Sequence, residues 1–262
     1  MTHDLTIGGV AVLAISLAAT PPAAAERLVT SISRHQVLVS SSFTGTTIVL
    51  FGTVEPDNTA ARQRNADYSV VVTVAGPKQT LLTRRKERVL GIWTNTDSRT
   101  FVNVPSYLAL LSNRPFDQIA APEIRRRLQI GLDNTVLPQQ IGPDIGDVAR
   151  DDPFRTNFIR LKSEDRLYVQ RTNGVTLLTP SVFRADVPVP AEAPVGNYNV
   201  DVKLFAEGTM LARTNSAFEL IKVGFEQFVA NGAREHGLLY GLATAMMALV
   251  TGWLASVVFR RD

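Results

Sequence analysis

The chain closes on an uncharged run, Gly237 to Phe259, followed by Arg260, Arg261 and Asp262. At 1.5 Å per helical residue this run reaches about 35 Å, enough to cross a hydrocarbon core of about 30 Å with some tilt. A helix satisfies all its backbone polar groups internally, as lipid requires. The competing reading, a buried core helix, fits poorly, because helices of soluble domains rarely run six turns without a charge. Positive residues beside a span stay cytoplasmic. Arg260 and Arg261 therefore predict a cytoplasmic C-terminus, with everything before Gly237 on the opposite side. Arg234 on the outer flank weakens that asymmetry, although Glu235 adjoins it.

The same run carries small residues at alternating spacings of four and three: Gly241, Ala245, Ala248, Gly252 and Ala255. That spacing places them on one left-handed seam, where helix backbones approach closely in lipid. It predicts an interface with another membrane protein. Upstream, in the juxtamembrane segment 224–236, Phe225, Phe228 and Val229 recur at i, i+3 and i+4 and predict an amphipathic turn at the outer interface.

At the other end, Leu5 to Ala19 is apolar and leads into Pro21-Pro22-Ala23-Ala24-Ala25. Ala23 and Ala25 supply the small residues of a signal-peptidase site, which predicts a signal peptide over 1–25. Its amino end, Met1-Thr2-His3-Asp4, lacks Lys and Arg, and an uncleaved anchor would give the same orientation. An export signal followed by one stop-transfer helix describes a type I, single-pass protein; in a bacterium this predicts an inner-membrane protein with its main domain, 26–223, in the periplasm and its tail, 260–262, in the cytoplasm.

Such a domain, of about 200 residues, is large enough to be held by a core alone. It needs no disulfide, and the chain has no cysteine. Thiol catalysis, iron–sulfur ligation and thiolate zinc sites are excluded with it. With Lys plus Arg at 27 against Asp plus Glu at 24, the net charge is +3, which gives no case for nucleic acid.

Thr47 to Gly52 and Tyr68 to Ala75 are β-branched runs bounded by turn residues and predict strands. Leu81-Leu82 and Val89 to Trp93 predict two more, joined across Arg84-Arg85-Lys86-Glu87-Arg88. Pro105 to Ser112 and Glu123 to Leu132 read as short helices, the second with Ile124, Leu128 and Leu132 on one stripe and Arg125 to Arg127 facing water. Leu137 to Asp152 reads as a loop. Asp152-Pro153 is a cap followed by proline at the first helical position, predicting a helix to about Asp165. Asn173-Gly174 predicts a hairpin between Leu167–Arg171 and Val175–Leu178. Tyr198, Val200, Val202 and Leu204 alternate with Asn199, Asp201 and Lys203, predicting one buried and one wet strand face. A turn at Glu207-Gly208 leads to a last strand through Phe218, Leu220 and Val223. Pro194-x-Gly196-x-Tyr198 is similar to the tyrosine corner of immunoglobulin-type folds. The expected class is mainly β: one or two immunoglobulin-like antiparallel sandwiches, with short helices inserted over about 105–165 and one transmembrane helix.

Catalytic groups are scarce. Of three histidines, His3 falls in the signal, His35 in the first strand region and His236 at the membrane boundary. No Gly-x-Ser-x-Gly elbow accompanies His35. Asp144, Asp147, Asp151 and Asp152 lack the ligand series of a calcium loop and read as caps and solvated charge. No phosphate-binding glycine loop is present. No enzyme activity, metal or cofactor is expected. The basic runs Arg84, Arg85, Lys86, Arg88 and Arg125, Arg126, Arg127 read first as solvated faces and second as contacts for an anionic solute or headgroup.

Several stretches together resemble the alphaproteobacterial putative transmembrane protein family of exported, single-anchor proteins. They are Gly91-Ile-Trp-Thr-Asn-Thr-Asp97, Val104-Pro-Ser-Tyr-Leu-Ala-Leu-Leu-Ser112, Phe183 to Pro190 with Pro194 to Tyr198, Lys222 to Glu226, and Leu239 to Leu242 with Gly252 to Ala255. The resemblance implies the topology and transfers no site residue. The expected function is an anchored accessory protein that docks on a transporter or assembly; the alternative is a periplasmic anion-binding or sensing domain.

Overall fold

Runs of Val, Ile and Thr form the strands, because branched side chains pack well on a pleated surface. A computed structural model describes residues 26–55, 67–224, 233–234 and 236–258. The strands are β1 (Arg27–Ile32), β2 (Gln36–Val39), β3 (Thr46–Glu55), β4 (Ser69–Ala75), β5 (Lys78–Val89), β6 (Ile92–Pro105), β7 (Leu108–Ser112), β8 (Pro138–Ile141), β9 (Asp144–Asp147), β10 (Tyr168–Arg171), β11 (Val175–Thr179), β12 (Val182–Val189), β13 (Gly196–Ala206) and β14 (Thr209–Lys222). The helices are α1 (Pro122–Arg127), α2 (Pro153–Glu164) and α3 (Gly237–Val258). The predicted signal peptide, the turn at Phe225, Phe228 and Val229, and Arg260-Arg261 lie outside the described residues.

Two sheets share one core. Their orders are β1-β3-β12-β11 and β10-β7-β4-β13-β14-β2. On β3, Ile48, Leu50 and Val54 are buried while Phe51 is exposed; Leu50 lies opposite Ala185 and Ile48 opposite Val187. On β13, Tyr198, Val200, Val202 and Leu204 are buried, with Val202 opposite Val72. The buried set runs from Leu28 to Leu220 as one cluster, so the two β-rich halves have a common core. Each such side chain contributes roughly 1.5–3 kcal/mol on burial. Gly52 lets the Phe183 ring lie across β3, since a Cβ there would sit 2.1 Å from that ring.

The mainly β class is as expected, and the turn at Glu207-Gly208 and the Asp152 cap are where they were predicted: Asp152 accepts from the Arg155 amide at 2.8 Å. Tyr198 is a structural corner, its hydroxyl donating to the Pro194 carbonyl at 2.6 Å. Burial pushes its phenol above the ordinary value. Two strand pairs, β7–β10 and β2–β14, are parallel.

Several local expectations are overturned. Leu108 to Ser112 is a strand buried on both faces, not a helix; a short unbroken apolar run has no period to separate the two. Leu137 to Asp152 contains the hairpin β8–β9 rather than only loop. The Glu123 to Leu132 helix stops at Arg127, and Gln129 takes a left-handed conformation (φ 54°). Asn173-Gly174 makes no hairpin. β10 pairs with β7 and β11 with β12, so the chain passes there from one sheet to the other. Gly174 permits the crossing because a Cβ would meet the Leu111 side chain at 2.8 Å. Finally, Lys203 is buried rather than wet, paired with Asp201, which also binds Arg213 at 2.7 Å.

The third sheet, β5-β6-β8-β9, is built on a ribbon that leaves the six-stranded sheet. β4 pairs with β7 up to Ala75↔Leu108, and β5 pairs with β6 from Lys78↔Pro105. The Gly76 amide donates to the Tyr107 carbonyl and the Ser106 amide to the Pro77 carbonyl, both at 2.9 Å, so the two ladders are one continuous ribbon.

Candidate functional site

Two features of the described residues stand apart from the core: the helix α3 and the outer half of the β5–β6 ribbon. α3 has 22 residues, a mean hydropathy of 1.7 and no part buried against the protein. Its length and composition suit a membrane crossing, and Leu238, Leu249 and Val258 are each at least 70% exposed. Gly241, Ala245, Ala248, Gly252 and Ala255 all fall within it. At 100° per residue they occupy an arc of about 80°. A Cβ built on Gly241 or Gly252 meets no atom within 4 Å. Thr244 and Thr251 return their hydroxyls to carbonyls of their own helix, at 2.9 Å to Gly241 and 2.7 Å to Met247.

Arg84 to Arg88 lie inside β5, not at a hairpin tip; the turn is Leu90-Gly91, with φ of 49° and 88°. The inner half of the ribbon is braced by α2. Phe101 stacks on Phe158 with centroids 4.2 Å apart, Phe158 meets Tyr168 edge-on at 5.8 Å, and the Arg99 guanidinium lies 5.2 Å from the Phe154 centroid. The Tyr168 hydroxyl donates to the Pro105 carbonyl at 2.8 Å, where the ribbon joins the six-stranded sheet. The outer half is exposed: Leu90 at 99%, Ile92 and Trp93 at 68% each.

Arg84, Arg85 and Lys86 share a cavity of about 210 Å³ with Phe154, Asn157 and Arg160 of α2. Two of its cations are already engaged. Arg85 binds Glu87 at 2.9 Å and Arg160 binds Glu164 at 2.6 Å. Arg88 donates to the Gly91 carbonyl across the turn, at 3.2 Å. Arg125, Arg126 and Arg127 are on α1 and line neither this cavity nor the larger one of about 740 Å³ beside Thr44–Thr47 and Arg171. Arg126 pairs with Glu123 at 3.5 Å; Arg126 and Arg127 are exposed, and Arg125 is half-buried, with its Nε enclosed and without a hydrogen-bond partner.

Sequence reasoning missed Arg155. Its side chain is 2% exposed, binds Asp147 at 3.1 Å, and donates to the carbonyls of Asp133 at 3.2 Å and Thr135 at 2.6 Å. Asp147 is thereby a structural ion-pair partner, and Asp152 a cap. Among the described residues no three His, Cys, Asp or Glu side chains cluster as metal ligands. His35 is exposed, with Nδ1 3.4 Å from the Ala217 carbonyl.

No curated protein and no solved structure matches the chain. A protein-family model described as "Putative transmembrane protein (Alph_Pro_TM)" matches residues 27–261, which takes in the three sheets and α3 together. The chain belongs to that transmembrane protein family.

Proposed function

We propose that the chain is a non-catalytic accessory protein of a bacterial inner membrane, with its β-domain in the periplasm, its C-terminus in the cytoplasm, and α3 docked on a larger transporter or assembly. The observation that carries the reading is the small-residue arc of α3, open at Gly241 and Gly252 and untouched by the other described residues. Small residues drive association in lipid, where apolar burial no longer discriminates. Orientation rests on Arg260-Arg261.

Crosslinking in native membranes, followed by mass spectrometry, tests the docking. A protein partner should be recovered with the native chain and lost with Gly241→Leu/Gly252→Leu, positions where a Cβ meets no described residue within 4 Å. Monomer alone, unchanged by the substitutions, refutes it. A reporter active only in the cytosol should be silent when fused ahead of residue 224.

The alternative, an anion-binding domain, is weaker, since Glu87 and Glu164 already engage two of the four cations at the α2 cavity and α1 stands elsewhere. Thermal shift of the full chain in detergent against sulfite, sulfonates, phosphate and dicarboxylates decides it. Binding at a hundredfold excess over Kd would add about 2.7 kcal/mol.

A further inference from the structure

We propose that the tip of the β5–β6 ribbon is a second membrane contact, inserting Leu90, Ile92 and Trp93 into the headgroup region of an anionic phospholipid bilayer. The inference rests on α3 crossing that bilayer. Three independent observations lead to it.

The first is composition at the tip. Leu90 at 99% and Trp93 at 68% are among the most exposed large apolar side chains outside α3. Arg84 to Arg88 supply four cations and one anion directly behind them. Basic residues next to an exposed tryptophan and aliphatic tip suit an interface with anionic headgroups, where an indole sits at the boundary and cations meet phosphate.

The second is strand register. Trp93 lies opposite Arg88, and alternation along β5 puts Arg84, Lys86 and Arg88 on that same face. The opposite face carries Thr83 and Arg85, with Arg85 paired to Glu87, and residues of both faces border the α2 cavity. Among the described residues Arg84 and Lys86 have no ion-pair partner, so the tryptophan shares its face with the uncommitted charges.

The third is direction and reach. β4 and β14 both run antiparallel to β13 and so leave the six-stranded sheet at the same end. β4 continues there into the ribbon, and β14 continues there toward α3. The 12 residues of β5 extend about 40 Å. The 14 residues between Lys222 and Gly237 span at most about 50 Å. Because the arm and the connection to α3 both leave one end of the sheet, and 14 residues can span no more than about 50 Å, the tip can reach the surface that α3 enters.

The chain has two tryptophans, Trp93 and Trp253. Full-length Trp253→Phe protein therefore reports Trp93 alone. It is reconstituted into phosphatidylcholine vesicles with and without phosphatidylglycerol, each containing lipids brominated near the headgroup. Trp93 emission should shift to the blue and be quenched in the phosphatidylglycerol vesicles. Each cation removed in the series Arg84→Gln, Lys86→Gln and Arg88→Gln should lower insertion about fivefold. Leu90→Ser/Ile92→Ser should abolish the quenching with the thermal melt unchanged. Retention of the chain on carbonate washing with Trp93 still emitting as an aqueous indole overturns the proposal alone. Release by carbonate overturns the span and this proposal with it. Absence of lipid quenching combined with crosslinking of position 90 to a protein in native membranes also overturns it, assigning the tip to a protein partner.

Discussion

Removing the charge that Arg155 buries should destabilise the domain in an order that the geometry dictates. Its guanidinium is enclosed, with Asp147 as its ion-pair partner and two carbonyls as acceptors, whereas Asp147 itself is 40% exposed. Arg155→Ala removes the pair and leaves a cavity, a combination worth about 3–5 kcal/mol. Asp147→Ala leaves a buried cation still bonded to two carbonyls. Partial exposure of the lost carboxylate reduces the usual penalty, to about 2–3 kcal/mol. Arg155→Met fills most of the space and lets Asp147 rehydrate, so the principal cost is the buried Thr135 carbonyl left without its donor, about 1–2 kcal/mol. The double variant Asp147→Ala/Arg155→Met should cost only slightly more than Arg155→Met alone, the difference being the Leu137 amide that donates to Asp147 at 3.2 Å. For a domain of this size each kcal/mol moves Tm by about 2–4 °C. Circular dichroism melts of the full chain in detergent read the series. Additive single effects, or Arg155→Met costing more than Arg155→Ala, would refute the picture of an ion pair that clamps α2 to the β8–β9 segment.

Tyr198→Phe keeps the ring stacked on Phe218, 5.0 Å away, and loses only the bond to Pro194; a cost of about 1 kcal/mol, read as a Tm shift, is expected. Gly52→Ala drives a methyl to 2.1 Å from the Phe183 ring, so expression or Tm should fall by the equivalent of at least about 2 kcal/mol, with Phe183→Leu as the rescuing second change. Arg114 donates to Asp67 at 2.8 Å and holds its carboxyl below the ordinary 3.8. A lowered folded value means that the bridge stabilises above the unfolded value and is lost as pH falls through the folded one. Asp67 is 81% exposed, so Asp67→Asn should flatten the acid limb of a Tm-against-pH curve by no more than about 1 kcal/mol.

Local chemistry made β3, β4, β13 and the Asp152 cap legible, because branched runs, alternation and capping act within a few residues of one another. The apolar C-terminal helix was legible for the same reason. What sequence could not show depends on distant partners. Leu108 to Ser112 has good helix formers and becomes a strand because β4 and β10 flank it on either side. Asn173-Gly174 carries a strong turn signal, yet its flanking strands find partners in different sheets. Arg155 looks like any solvent-facing helix residue, and only the fold of 133–147 over α2 encloses it.

The tip of the ribbon shows how a functional face can be set by one irregular pairing. The run Arg84 to Trp93 announces basic and apolar residues, but not which of them share a side. Regular pairing continued upward from Arg85↔Asp97 would set Trp93 opposite Val89, on the face of Glu87 and Arg85. The register instead shifts between Arg85 and Lys86, with Thr96 as the extra residue on β6, so that Asn95 meets Lys86 and Trp93 meets Arg88. A one-residue slip exchanges the faces of a strand. Here it takes the indole from the side where Arg85 is neutralised by Glu87 to the side where Arg84 and Lys86 have no such partner among the described residues. Bulges are common where a strand re-aims a side chain, and this one joins tryptophan to uncommitted charge, the combination that an anionic lipid surface would select.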